Sequence, residues 1–73
     1  MEELEFISCF PGHKEKIKIL LSQDENFREV AEDYMVCKKT LKKLKRTNKN
    51  SLVQQYSETL KELKLELFES INK

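Results

Sequence analysis

Apolar residues recur every three or four positions in two stretches of the chain. The first series is Phe27, Val30, Tyr34, Cys37, Leu41 and Leu44. The second series is Val53, Tyr56, Leu60, Leu63 and Leu67, with Ser70 at the next position. This alternating spacing is a heptad pattern, which places the side chains along one side of an α-helix. It predicts a long helix over about residues 25–46 and a last helix over about residues 52–71.

A polar segment over residues 47–51 separates the two series and predicts a turn. Lys45 and Arg46 precede it, where cations favour a helix carboxyl end, and Ser51 with Gln54 fits a capping box for the last helix. A connection this short makes neighbouring helices antiparallel. In an antiparallel pair of helices, the residue numbers of two facing residues always add to the same value. The two heptad series give six facing pairs, from Leu44 with Val53 to Phe27 with Ser70, and the residue numbers of every pair add to 97.

The first third of the chain is less regular. Pro11 suits the first turn of a helix, and an apolar side formed by Ile17, Leu20 and Leu21 predicts a short helix over about residues 11–22. Ser22 with Glu25, or Asp24 alone, would cap the long helix, and the sequence allows either a kink or one continuous helix there. Residues 1–9 show no clear period and stay unassigned. The predicted fold is all-α: an antiparallel two-helix coiled-coil hairpin preceded by a short N-terminal helix, with residues 10–73 as a single domain.

Composition limits the classes of function. A chain of 73 residues buries little surface, so its margin of stability is thin and extra contacts would help it. The net charge of +1 gives no overall attraction to nucleic acid or anionic membrane. No apolar run approaches the roughly 18 residues that span a bilayer, and the first residues are acidic rather than basic. Cys9 and Cys37 form no CxxC motif, and we expect free thiols in a cytoplasmic protein.

Several of these positions resemble a known family. They are Phe10-Pro11, Leu20, Asp24, Phe27 and Tyr34, a polar turn, and the closing stretch over residues 60–67. The pattern resembles the YdcH-like family of short bacterial helical-hairpin proteins, with SlyX-like proteins as a looser comparison, over residues 10 to about 71. Gly12 and Glu25 depart from it, standing where the family often has an acidic residue and a second proline. The resemblance implies a bacterial, cytoplasmic helical protein of uncharacterised function and supplies no catalytic or binding residues.

Chemistry-bearing residues are sparse. Cys9 and His13 are four positions apart and would share a helix face, but a structural zinc site needs four ligands. Asp33 and Glu66 form the one carboxylate pair that the register brings together, without an accompanying nucleophile or a Gly-rich phosphate loop. We therefore expect no enzymatic activity, no metal, no cofactor and no small-molecule substrate.

Five apolar residues lie off the seam, towards the end of the hairpin opposite the turn: Met35, Val36, Leu65, Phe68 and Ile71. The short helix emerges at the same end and would cover part of this patch. An exposed apolar patch of several hundred Å² is unusual on a monomer. These residues are the candidate protein interface, and we expect self-association, with a dimer favoured, or an unknown protein partner.

The turn end of the hairpin is positively charged. Seven basic residues occur there without an acidic one: Lys38, Lys39, Lys42, Lys43, Lys45, Arg46 and Lys49. Such a candidate anion-binding patch attracts phosphates but does not read bases. The alternative function is therefore electrostatic binding of nucleic acid or an acidic partner, less favoured than protein interaction. Salt separates the two, because it weakens charge attraction and leaves apolar binding intact.

Overall fold

The computed structural model describes residues 3–47 and 50–72, and in these ranges the protein contains α-helices and no strand. Four helices follow one another: α1 (Glu3–Ser8), α2 (Lys14–Gln23), α3 (Glu25–Arg46) and α4 (Asn50–Ile71). The predicted all-α class is confirmed for the described residues. The helix α1 was not predicted. Of the predicted turn, Asn48 and Lys49 lie outside the described residues, and Ser51 lies inside α4 rather than at its N-cap.

The helix α1 is stabilised by packing rather than by its own length. Its six residues are far fewer than an isolated helix needs in water. Glu3 and Glu5 favour its amino end through the helix dipole. Phe6 is fully buried, with its ring centroid 5.2 Å from that of Phe10 and 6.0 Å from that of Tyr34. A tertiary contact therefore holds this segment in place, which explains why its local sequence gave no helical signal.

A tight turn at Pro11 and Gly12 separates α1 from α2. Gly12 has φ of +88°, a left-handed conformation that other residues adopt only with strain. The helix α2 consequently begins at Lys14, and Pro11 lies before it rather than in its first turn. The prediction that Pro11 opens a helix at about residue 11 was wrong, because the backbone reverses at Gly12.

The break between α2 and α3 occurs at Asp24. Its backbone is extended, with φ of −113° and ψ of 102°, and its side chain accepts a hydrogen bond of 3.0 Å from the Phe27 amide. Arg28 Nε donates to the Leu21 carbonyl at 3.0 Å, which ties the two helices together across the break. The sequence left open whether Ser22 with Glu25, or Asp24 alone, caps the long helix. The structure shows that Asp24 is the cap and that α2 and α3 are separate helices.

The core lies where α1 and α2 pack against the α3–α4 pair. Its largest fully buried side chains are Phe6, Phe10, Ile17 and Leu67. The other members of this core are Ile7, Leu21, Phe27, Ala31, Tyr34, Met35 and Ile71. All of them come from α1, α2, the connection between them, the first half of α3 and the end of α4. We call this half of the molecule the covered end.

The other half of the α3–α4 pair has less cover. Leu41 and Cys37 are buried, but Leu44, Val53 and Tyr56 are only half-buried. Leu60 and Leu63, which pack against the edge of the core, are half-buried as well. In this half only two helices meet, and two helices cannot surround a side chain completely. We call it the two-helix end. The asymmetry between the two ends decides where the protein still has apolar surface to bury.

Candidate interaction face

Only some residues of the predicted apolar interface are exposed in the structure, and the others are buried. Met35 and Ile71 are 4% and 5% exposed and belong to the core, so they present no surface to a partner. Phe68 is half-buried, with its ring 5.0 Å from Phe10 and 6.3 Å from His13, both edge-on. The patch was predicted as one exposed surface. Instead, two of its five members are buried in the core, and the rings of Phe10 and His13 pack against a third, Phe68.

Val36 and Leu65 are the members that stay exposed, at 64% and 57%. They do not form a common surface. Val36 lines a groove with Leu63, and Leu65 lies two positions after Leu63, where a helix turns by about 200° and points the side chain away. Val36 therefore marks one candidate surface, and Leu65 is an isolated exposed leucine.

The groove at Val36 belongs to a longer surface along α3 and α4. It has a volume of about 350 Å³ and is lined by Asp33, Val36, Cys37, Tyr56, Thr59 and Leu63. Next to it, towards the two-helix end, a second groove shares Tyr56 and Thr59 and adds Leu52 and Gln55. Towards the other end a third cavity is lined by Asn26, Phe27, Val30, Glu66, Glu69 and Ser70. We call the surface formed by these three grooves the uncovered face.

The connection between α1 and α2 packs on another side of the α3–α4 pair. Lys38 Nζ reaches the Cys9 sulfur at 3.0 Å, and Lys64 Nζ lies 5.9 Å from the centre of the Phe10 ring. Lys38 and Lys64 each occupy positions about a quarter-turn or more away from Val36 and Thr59 on their helices. None of the three grooves is lined by a residue of α1 or α2. The uncovered face is therefore free of the rest of the described chain.

The predicted anion-binding patch is largely exposed but loses two members. Lys38 is half-buried and bonded to Cys9, while Lys49 lies outside the described residues. The exposed members are Lys39, Lys42, Lys43, Lys45 and Arg46. Lys43, Lys45 and Arg46 occupy the last turn of α3, where they complement the helix dipole. The sequence did not indicate the contact of Lys38, because its partner lies 29 residues away.

Cys9 lies in a small cluster of polar side chains between α1 and α3. Its half-buried sulfur accepts from Lys38 Nζ at 3.0 Å and donates to the Glu5 carbonyl at 3.5 Å, and it lies close enough to Tyr34 to influence the pKa of that phenol. The expectation that Cys9 and His13 share a helix face was wrong, because both lie in the connection between α1 and α2. Among residues 3–47 and 50–72 there is no group of three or more potential metal ligands.

Burial changes the acidity of two groups. It raises the pKa of Tyr34 to about 12, with smaller contributions from Cys9, and it raises the pKa of the Cys37 thiol. Cys37 packs against α4, with its sulfur 3.4 Å from the Tyr56 carbonyl oxygen. Both shifts favour the uncharged form, as expected for groups that serve packing.

We expect the raised pKa of Tyr34 to appear as a loss of stability in alkaline solution. A phenol whose pKa is higher in the folded than in the unfolded state stabilises the protein below pH 10.0, and this contribution disappears between pH 10.0 and about 12. Chemical denaturation of the wild type and of Tyr34→Phe across this range isolates the effect, because other groups titrate in both. The stability of the wild type should fall more steeply. Parallel curves would contradict the raised pKa.

Comparisons with known proteins found no similar protein. No family model matches the chain, and no curated protein or solved structure matches it significantly. Within the described residues, no helix has the length and apolar character needed to cross a membrane.

Proposed function

We propose that this protein is a non-enzymatic helical interaction module that self-associates through the uncovered face. The observation that carries the proposal is Val36, which is 64% exposed in the middle of that face beside the half-buried Tyr56 and Leu63. Burying apolar surface stabilises by about 25 cal/mol per Å². A second helical layer over this face would therefore give the two-helix end the burial that α1 and α2 give the other end.

We propose further that α3 and α4 form an antiparallel coiled-coil hairpin in the register whose layers add to 97. Two contacts support this register. Phe27 and Ser70, predicted as one layer, line the same cavity. Cys37 contacts the backbone of Tyr56, one helical turn from its predicted partner Leu60. A hairpin in this register presents two parallel rows of side chains, which is the shape that packs on another hairpin to make a four-helix bundle.

The test is a charge placed in the face. We expect the wild type to be dimeric by analytical ultracentrifugation at high protein concentration, and Val36→Glu to be monomeric with unchanged helical circular dichroism. The matched control is Leu65→Glu, because Leu65 is equally apolar, 57% exposed and off the face. It should remain dimeric.

Two outcomes would contradict the proposal. One is a wild type that stays monomeric at every concentration. The other is equal dissociation by Val36→Glu and Leu65→Glu, which would show that association does not depend on the uncovered face.

Electrostatic binding through the basic end of α3 is a second candidate function. Its supporting observation is that Lys39, Lys42, Lys43, Lys45 and Arg46 are all exposed. A nucleic acid or acidic partner held by these cations would dissociate as salt is raised, whereas a partner held by the uncovered face would be retained. Binding from a native extract at two salt concentrations separates the two.

Family membership and location stay predictions from the sequence. The resemblance to the YdcH-like family supports a bacterial, cytoplasmic protein, and it depends on Phe10-Pro11, Tyr34 and the closing heptads. A genetic deletion with screening for altered growth would give the module a cellular context.

A further inference from the structure

Charged residues beside Val36 are sorted by sign along α3. Residues seven positions from Val36 are nearly two helical turns away and lie in line with it: Glu29 before it and Lys43 after it. Glu32, four positions before Val36, and Lys39, three positions after it, are turned by about 40° and 60° to one and the same side of that line. All four charged side chains are exposed. The row therefore has two acids on one side of Val36 and two bases on the other.

This charged row follows the outer edge of the uncovered face. Cys37, whose sulfur contacts the Tyr56 backbone of α4, is turned by about 100° from Val36 in the opposite direction. Glu32 and Lys39 therefore lie on the edge of α3 that is remote from α4. Like charges four positions apart, which this sorting produces, destabilise a lone helix. A partner that brings opposite charges to the same edge offsets this repulsion.

We infer that a second copy of this chain covers the face in the reverse direction, so that α3 packs antiparallel on α3 of its partner. The inference rests on the self-association proposed above. Two copies that meet through one face are related by a two-fold axis lying in the plane of that face. An axis that crosses the helices at Val36 reverses the second hairpin and places α3 over α3. Glu29 and Glu32 of each protomer then meet Lys43 and Lys39 of its partner, respectively, in four ion pairs per dimer.

The positions of these residues along the helix agree with the pairing. With the axis at Val36, each residue faces the partner residue that is equally far from Val36 in the other direction. Glu29 and Lys43 are both seven residues from it, or about 10 Å at 1.5 Å per residue. Glu32 and Lys39 are four and three residues from it, a difference of about 1.5 Å. The members of each pair also share one edge, because this axis keeps the outer edges of the two copies together.

The centre of the face fits the same axis. Val36, which is 64% exposed, lies on the axis and packs against its own copy, so the dimer removes it from water. On α4, the register that adds to 97 puts Lys61 level with Val36. Glu66, which lines the cavity at the covered end, is then level with the uncharged Tyr56 of the partner and not with another acid.

The unreversed arrangement is disfavoured by the charges. A two-fold axis parallel to the helices would place α3 of one protomer over α4 of the other, with the two covered ends together. Glu29 and Asp33 would then lie over Glu66 and Glu69 of the partner. Like charges in apposition across an interface destabilise it, which favours the reversed copy.

A second copy also suits this edge better than a partner with one sign of charge. Nucleic acid or a uniformly acidic protein would attract Lys39 and Lys43 but repel Glu29 and Glu32, whereas a reversed copy satisfies all four. The molecule measures 38 × 21 × 20 Å. One long side of this size offers about the 800 Å² that each partner buries in a standard protein interface.

The experiment is a charge exchange, measured by analytical ultracentrifugation. The double variants Glu29→Lys/Glu32→Lys and Lys39→Glu/Lys43→Glu each turn all four ion pairs of the reversed dimer into pairs of like charge. We expect each variant alone to dimerise at least about tenfold more weakly than the wild type. Mixing the two in equal amounts should restore dimerisation, because every pair in the mixed dimer again joins opposite charges.

The matched control is Lys42→Glu/Lys45→Glu, which changes the charge of α3 by the same amount. Both lysines are exposed and are turned by about 120° and 180° from Val36, so they lie outside the face. The control should dimerise nearly as strongly as the wild type. Circular dichroism of each variant confirms that a weak dimer reflects lost contacts and not lost helix.

The outcomes separate the orientation from the self-association itself. Restored dimerisation in the mixture, with little loss in the control, supports the reversed pairing of α3 with α3. A dimeric wild type whose two variants stay dissociated when mixed, or dimerise as strongly alone as together, overturns the pairing while self-association stands. Equal weakening by the control overturns the pairing as well. A wild type that is monomeric at all concentrations overturns both.

Discussion

Replacing Phe10 by alanine should lower the free energy of unfolding by about 3–5 kcal/mol, one of the largest losses that a single substitution in this protein can cause. Phe10 is 0% exposed and sits at the centre of the covered end, with its ring 5.2 Å from Phe6, 5.8 Å from Tyr34 and 5.0 Å from Phe68. Removing a buried phenylalanine costs about 3–5 kcal/mol. A domain of this size has a total stability of roughly 4–11 kcal/mol at 0.05–0.15 kcal/mol per residue. We expect urea denaturation to show a loss of roughly a quarter of this stability or more.

Phe10→Leu is the control for this prediction. It keeps most of the apolar volume and should lose less than half as much stability as Phe10→Ala. Because Phe10 lies between α1 and α2, neither variant changes the propensity of a helix. Equal stability of Phe10→Ala and the wild type would show that the connection and α1 do not pack on the α3–α4 pair.

Two leucines in α4 should respond very differently to the same change. Leu67 is 1% exposed and Leu65 is 57% exposed, and both lie inside the helix. We expect Leu67→Ala to lose about 2–5 kcal/mol because it leaves a cavity in the core. Leu65→Ala should change the free energy of unfolding by about 0.5 kcal/mol or less. Both are measured by urea denaturation.

This pair controls for helix propensity, which the same substitution changes equally at both positions. A comparable loss for the two variants would mean that Leu65 is covered in solution. Such a result would indicate that the interface lies on the side of α4 that carries Leu65 and not on the uncovered face.

The long helices were predictable because their heptad pattern is local and repeats over several turns. The helix α1 was not, because six residues with Phe6 and Ile7 adjacent give no period, and the contacts that stabilise them come from α3. Pro11 was assigned to a helix on a general preference that the left-handed Gly12 overrides. Each error occurred where a contact or a backbone angle, rather than a repeat, decides the structure.

The candidate interface was likewise predictable only where a local pattern decides the structure. Val36 was identified from the sequence because it is apolar and off the seam. Met35 and Ile71 met the same criteria, but the core that includes α1 and α2 buries them. Tyr56 and Leu63 were predicted as seam residues, and the structure places them also on the uncovered face. The sequence carried no local signal for this second placement, because the heptad pattern marks only the side of each helix that faces the other.

The central claim is that the protein associates with itself through the uncovered face, and amide chemical shifts of the wild type test it most directly. We expect heteronuclear NMR spectra recorded over a series of protein concentrations to show shifts for the amides of Val36, Tyr56 and Leu63. Those of Ile17 and Leu21, in the buried part of α2, should stay constant. Spectra that do not change with concentration, or changes confined to α1 and α2, would contradict the claim.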